Sequence, residues 1–480
     1  MVQLRDYQQE SVEKILNMSE REKKIACLPT GSGKTILLSE ICRRVNSRIL
    51  IVVQSSELRQ QTLDKLKMVC GESVDVGSIQ GNLKEYNHKI IVATRQTLTS
   101  GGKDVIKEKF KKMLEYGSFK YVIFDECHCA TNQQKTIIEN LNKDICILGL
   151  TATPYNISLK NIYDGIIYKR ELIDMMKEKY LVEPLCYQVY TDTDISNVKV
   201  VGSDFVEKQL SNAVNTDYRN NLIVKSYIEK CKSDNRNKTI VFCTTVNHSK
   251  KLAECFNKNG IKAISIDGSL NKKDREKILK DFHDEKYQVV CNVNVLSIGF
   301  DEPSIDSIIF ARPTKSKMLY IQQLGRGLRL HEDKKDCLII DVVDVTKGFD
   351  IVTSKTIFDV ENGETPTKAL KRKAEEKNQK NHMEELEKNI NEQAEENLDN
   401  IKNTKQEKNI NIDDIKIYYQ KENILAERIS KESNVGFTSL FRNNKTKYDN
   451  EKNNKKDCEE GKNKKSLIGG LFRKIFNLSL

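Results

Sequence analysis

Two series of short, almost uninterrupted apolar segments constrain this chain more than anything else in it. The first, from Met1 to about Arg170, contains IACLP (25–29), RILIVVQ (48–54), KIIVAT (89–94), YVIFDE (121–126) and ICILGLTAT (145–153). The second starts near Tyr218 with TIVFC (239–243), KAISI (262–266), YQVVCNV (287–293), SIIFA (307–311) and CLIID (337–341). Strands lacking polar alternation are expected where a parallel sheet is covered on both faces. Helix-length stretches separate them, for example Thr35–Val45, Glu57–Cys70 and HSKKLAECFNKNG (248–260) with its Gly stop. Such alternation predicts doubly wound α/β domains. We therefore expect two of them, over 1–170 and 218–360, with residues 171–217 connecting them.

After about Val360 the composition changes. Residues 361–480 are rich in Lys, Glu and Asn and hold no aromatic residue before Tyr418. Leu386, Ile390, Ala394, Leu398 and Ile401 recur every three or four residues, the spacing of one solvated helix. The rest of this charged tail reads as disordered or loosely helical. At its end, SLIGGLFRKIFNLSL places Leu471, Phe472, Ile475 and Phe476 on one helical face.

The 480 residues carry 80 Lys+Arg against 69 Asp+Glu, a net charge of +11, which permits a polyanionic partner without requiring one. Composition excludes collagen, a mucin-like stalk and a small disulfide scaffold. No stretch approaches the ~20 apolar residues of a membrane span. The N-terminus lacks an apolar signal core, and motif-like sequence begins at Leu4, so no secretory or mitochondrial targeting segment is evident. The 13 cysteines are scattered, apart from Cys127 and Cys129, and read as reduced thiols. A soluble, cytoplasmic protein is expected.

PTGSGKT (29–35) follows a strand and opens a helix. Gly31 and Gly33 let the backbone turn tightly and aim successive N–H groups, with those of Thr30 and Ser32, at phosphate oxygens. The helix N-terminus adds partial positive charge. Lys34 can reach the β- and γ-phosphates, and the Thr35 hydroxyl can hold Mg²⁺. The strict pattern wants Gly where this chain has Leu28. The strand YVIFDECH (121–128) ends in two carboxylates: Asp125 is the expected metal ligand and Glu126 the catalytic base or water orienter.

These segments resemble those of superfamily 2 helicases and translocases over nearly all of 1–350. LRDYQ (4–8) resembles the adenine-reading motif, implying contacts from Arg5 and Gln8. PTGSGKT, DECH and TATP (151–154) resemble motifs I, II and III; VVQSSELRQQT (52–62) and VATRQTL (92–98) resemble the strand-contacting motifs Ia and Ib. IVFCTTVNHSKKL (240–252), LSIGFDEPSID (296–306) and QQLGRGLRL (322–330) resemble motifs IV, V and VI. The resemblance implies two tandem RecA-like domains with ATP between them. It implies that Arg326 and Arg329 neutralise the γ-phosphoryl group from the second domain, with Gln322 facing the cleft. Gly299 and Asp301 would lie near the ribose, while His128, Thr151 and Thr153 would couple the nucleotide to nucleic acid. Thr94, Arg95, Thr97 and Thr244 would grip a strand without reading its sequence.

DECH, TAT and QQLGRGLR depart from the DEAD-box pattern. ARPTKSKMLYIQQLGRGLRLHEDKKDCLIIDVVD (311–344) is similar to restriction-subunit and branched-DNA helicases, closest to those of fungal mitochondria and bacteria. The implied activity is ATP-dependent movement on, or unwinding of, double-stranded or branched DNA. RNA unwinding and nucleic-acid sensing are the alternatives.

Overall fold

A computed structural model describes residues 3–154, 157–293, 295, 302–347 and 349–404. Met1–Asn378 forms one compact unit that holds both sheets. The first sheet takes β1 (Lys23–Cys27), β2 (Ile49–Val53), β3 (Val76–Gln80), β4 (Leu83–Lys84), β5 (Ile90–Thr94), β6 (Tyr121–Phe124), β7 (Cys146–Thr151) and β8 (Gly165–Lys169). Their order is β4-β3-β5-β2-β6-β7-β1-β8, parallel except for the short β4 on one edge. Every residue of β2, β5 and β7 is buried, as their continuous apolar sequences require.

The second sheet is parallel throughout. It comprises β9 (Pro184–Asp194), β12 (Thr239–Phe242), β13 (Ala263–Ile266), β14 (Val289–Asn292), β15 (Ser307–Phe310) and β16 (Cys337–Val345), in the order β13-β14-β12-β15-β16-β9. Between β9 and β12, β10 (Val200–Val201) and β11 (Asp204–Phe205) form a small hairpin. The stretch 171–217, read from sequence as a connector, thus supplies the edge strand β9, paired with β16 from Pro184 onward. β9 thus lies beside a strand 153 residues later in the chain, with Pro184 opposite Cys337.

Parallel register gathers the first sheet's important loops at its carboxyl edge. Cys27 of β1 lies opposite Thr151 of β7, and Phe124 of β6 opposite Gly149. The turns holding 29–35, 125–128 and 151–154 therefore leave the first sheet side by side. The helix Lys34–Arg44 follows directly and buries Leu37, Leu38 and Ile41 against the sheet. Full burial of each such side chain is worth ~1.5–3 kcal/mol.

The second lobe has a buried ion pair at its centre. Arg219, in the helix Asp217–Lys230, donates to Asp344 through Nε (2.7 Å) and a terminal nitrogen (2.8 Å), and to the Ala311 carbonyl at 2.8 Å. Thr191 of β9 donates to the same carboxylate at 2.6 Å. The pair thus ties the helix, β9, β16 and the loop after β15 together.

From Pro366 to Thr404 the backbone is one helix, in agreement with the periodicity around Leu386. Residues 405–480, including SLIGGLFRKIFNLSL, lie outside the described residues. Among the described residues, no helix is long and apolar enough to cross a membrane.

Removing one partner of the central ion pair strands a buried charge. Arg219→Ala is expected to cost ~3–5 kcal/mol, read as a lower urea midpoint for the second lobe. Arg219→Lys, which keeps charge but loses the fork, should fall between that variant and wild type.

Candidate active site

The phosphate loop closes by two left-handed glycines. Gly31 has φ +86° and Gly33 φ +77°, conformations that cost a side-chain-bearing residue dearly. Lys34 opens the helix Lys34–Arg44, with Thr35 in its first turn. The Lys34 ammonium lies 3.4 Å from the Leu28 carbonyl and 3.6 Å from Glu126 Oε1. One lysine thus spans the two motifs, whose strands β1 and β6 flank β7.

Residues at the N-terminus brace this loop. Gln8 and Tyr7 both donate to the Ser32 carbonyl, at 3.1 and 2.5 Å, and Gln8 Oε1 accepts from the Arg5 amide at 3.0 Å. Tyr7 was not singled out in the sequence, although it stands between the two residues that were.

Glu126 sits at φ +47° and its amide donates to Asp125 Oδ1 at 3.0 Å. Burial, then the adjacent Glu126 carboxylate, pushes the Asp125 carboxyl up to about 6, with Lys34 opposing. Gln134 holds the turn from below, donating to the carbonyls of Cys127 (2.5 Å) and Cys129 (2.8 Å). Only its position in the following helix could have suggested that role.

Three buried polar atoms in these motifs have no hydrogen-bond partner: Thr30 Oγ1, Ser32 Oγ and Glu126 Oε2. Such groups are expensive to bury unpaired, so this corner is shaped for a polar ligand.

The second lobe meets the first at this corner. A Cβ added to Gly325 would lie 2.4 Å from Thr30 Cβ, so only glycine permits this approach. A Cβ on Gly31 would lie 3.4 Å from Arg329 Cγ and 3.5 Å from the Gly325 carbonyl. Arg326, between the two glycines of GRG, is buried. The last turn of the helix Lys317–Gly327 and the residues after it, here called the arginine loop, thus lie directly on the phosphate loop.

A hydrogen-bonded chain crosses the same seam. With the Gln322 amide donating to His128 Nε2 (3.3 Å), the other ring nitrogen carries the proton and donates to Thr151 Oγ1 at 2.8 Å. That oxygen also accepts from the Thr153 amide at 3.0 Å. Burial draws the His128 imidazole below its usual range, which keeps it neutral as this chain requires.

Arg5, Gln8, Thr30 to Thr35, Asp125, Glu126, Gln322, Arg326 and Arg329 therefore come from the two sheets to one seam. Gly299 and Asp301 lie outside the described residues. Two of the expected strand-gripping side chains are not placed for it. Thr244 is fully buried with its hydroxyl 2.9 Å from His248 Nδ1, and Thr94 is buried with its hydroxyl 2.8 Å from that of Thr97. Both sit where a strand ends and a helix begins, and satisfying local polar groups outweighs exposure.

Residues 1–156 match the family of type III restriction enzyme res subunits, and residues 220–331 match the helicase conserved C-terminal domain. The two matched segments together make up a helicase core similar to that of restriction subunits. It is similar to the ATP-dependent helicase irc3 of Schizosaccharomyces pombe, named as mitochondrial (34% identity, 74% of this chain and 60% of that protein). The IRC3 helicase of Saccharomyces cerevisiae is 29% identical, over 74% of this chain and 54% of its own length. The helicase core thus spans between half and two thirds of those relatives. The DNA 3'-5' translocase XPB2 of Sulfurisphaera tokodaii is 26% identical across 72% of this chain and 82% of that protein.

Gly325→Ala should wedge a methyl group against Thr30 and hold the lobes of the helicase core apart. ATP turnover is expected to fall at least ~10-fold, since small misplacements of reacting groups carry such costs. Circular dichroism and the unfolding midpoint should stay close to wild type.

Proposed function

We propose that this helicase core hydrolyses ATP between its two lobes and uses the cycle to move along, or unwind, double-stranded or branched DNA. The observation that carries the proposal is the arginine loop of one lobe seated on the phosphate loop of the other. In this reading the lobes correspond to 1–170 and 218–360, residues 171–217 join them while lending β9 to the second sheet, and 361–480 is an appended tail.

Each residue then has a task. Backbone N–H groups of Gly31 to Lys34 cradle the phosphates, and the Lys34 ammonium reaches the terminal ones. Arg5 and Gln8 brace the loop on its base-binding side. Glu126 orients the attacking water; its buried Oε2, 3.4 Å from His128 Nδ1, makes no hydrogen bond, which suits that role. Arg326 and Arg329 offset negative charge as the γ-phosphoryl group transfers. Thr35 and Asp125 would hold Mg²⁺, which neutralises charge on the β- and γ-phosphate oxygens when bound. The paired carboxylates fit a divalent cation, since the Glu126 charge raises the cost of ionising Asp125 without one. Gln322, His128 and Thr151 pass the state of the arginine loop to the turn holding Thr153.

A site divided between lobes makes hydrolysis conditional on closure, and each closure can change how the lobes hold a strand. DNA is favoured over RNA by the restriction-subunit match and by a relative named as a DNA translocase.

Steady-state ATPase assays with single-stranded, duplex and forked DNA and with RNA test the reading. Stimulation greatest with duplex or forked DNA is expected; stimulation by RNA alone would contradict it. Lys34→Ala should abolish turnover. Arg329→Ala should leave ATP binding within about twofold and lower turnover ~10³-fold or more, the scale of an arginine finger. Turnover near wild type in either variant would refute that residue's assignment.

A further inference from the structure

Between the helix Leu172–Lys177 and β9, the chain passes through the seam between the lobes. Residues 180–182 touch the N-terminal brace, the phosphate loop and the arginine loop there, although no motif covers them. Their turn is fastened to one buried point: the amides of Tyr180 and Leu181 both donate to the Met175 carbonyl, at 2.8 and 3.2 Å. Lys179, at φ +59°, makes that reversal possible.

From this base the three residues reach in three directions. The Tyr180 carbonyl accepts from an Arg5 guanidinium nitrogen at 3.3 Å, and its ring meets Tyr7 edge-on with centroids 4.8 Å apart. The Leu181 side chain, 2% exposed, lies against the phosphate loop, its Cδ2 only 3.1 Å from where a Cβ on Gly31 would stand. The Val182 amide donates to the Leu328 carbonyl at 2.9 Å. Leu328 stands between Arg326 and Arg329, so this bond fixes the backbone from which Arg329 extends. Next along the chain, the Glu183 carbonyl accepts from the Cys337 amide at 2.9 Å, anchoring the segment to the second sheet.

We propose that Tyr180–Leu181–Val182 is a positioning clasp: Leu181 fills the space between the phosphate loop and the arginine loop, and with Val182 sets where Arg329 stands. The inference rests on the ATPase reading and deepens it. Leu181 is a positioning residue: its apolar side chain acts through Gly31 and the arginine loop. A gap there lets the arginine loop shift while each lobe keeps its own core. Ground-state nucleotide contacts, made largely by the phosphate loop, should survive. Contacts made only as the γ-phosphoryl group transfers should weaken.

The test is a comparison of wild type, Leu181→Ala, Leu181→Met, Arg329→Ala and the Leu181→Ala/Arg329→Ala double variant, as full-length chains. For Leu181→Ala, turnover should fall ~10-fold with ADP affinity within twofold, and affinity for ADP with aluminium fluoride should fall in step with turnover, as for any group felt only in the transition state. Leu181→Met, which refills the space, should restore both. In the Arg329→Ala background, Leu181→Ala should add nothing, because the two act as one unit. Unchanged affinity for the fluoride complex, or full additivity with Arg329→Ala, would overturn the clasp. If Leu181→Ala does not fold, Leu181→Val carries the same comparison with a smaller gap. Absence of ATPase in the wild type under every nucleic acid would sink the underlying reading, a result distinct from failure of the clasp.

Discussion

The contact of Gly325 with Thr30 is the constraint on which the rest of the structure depends. It brings the backbone of one lobe's arginine loop onto the other lobe's phosphate loop, closer than any residue with a side chain permits. The phosphate loop leaves the first sheet at its carboxyl edge, the ordinary place for a ligand crevice in an open parallel sheet. The arginine loop comes from the opposite edge of the second sheet: it follows the helix Lys317–Gly327 and leads into the amino end of β16, where a Cβ on Gly327 would meet Cys337 and Ile308. The crevice is shared between these two unlike edges. Each lobe carries half the chemistry: phosphate cradle, carboxylates and lysine on one side, arginines and Gln322 on the other.

Electrostatics explains why the halves belong together. Burial, then the charge of the adjacent Glu126, pushes Asp125 up to about 6. Lys34, whose ammonium lies 3.6 Å from Glu126 Oε1, offsets part of that cost. The neutral His128 beside Glu126 adds no charge and instead relays a hydrogen bond across the seam. The corner is thus rich in groups whose best partner is a phosphate, a cation or a water, none of which a closed protein core supplies.

Much of this was legible in the sequence because the chemistry is local. A phosphate loop needs its glycines and lysine within a few consecutive residues, and DECH needs two carboxylates at one strand end. Continuous apolar runs likewise announce parallel strands, and all ten runs named in the sequence overlap a strand of the structure. What could not be read is what depends on distant parts of the chain meeting. Within the connecting stretch, LCYQVYT (185–191) reads as strand-like, but nothing in it announces that β9 pairs with β16, far away in sequence. Leu181 is an ordinary leucine until the fold sets it on Gly31. Thr244 looked available for a strand, yet His248 one helical turn later takes its hydroxyl. Tyr7 and Gln134 act through hydrogen bonds to backbone carbonyls, which leave no mark in spacing or composition.

A nucleotide site split between lobes should reveal itself in both lobes at once. Amide hydrogen exchange of the full-length chain, with and without a non-hydrolysable ATP analogue and forked DNA, measures this directly. Slower exchange is expected in residues 29–35 and, together with it, in 322–330 of the second lobe. Protection confined to residues 29–35 would mean that nucleotide is held by one lobe alone, and would contradict a shared site.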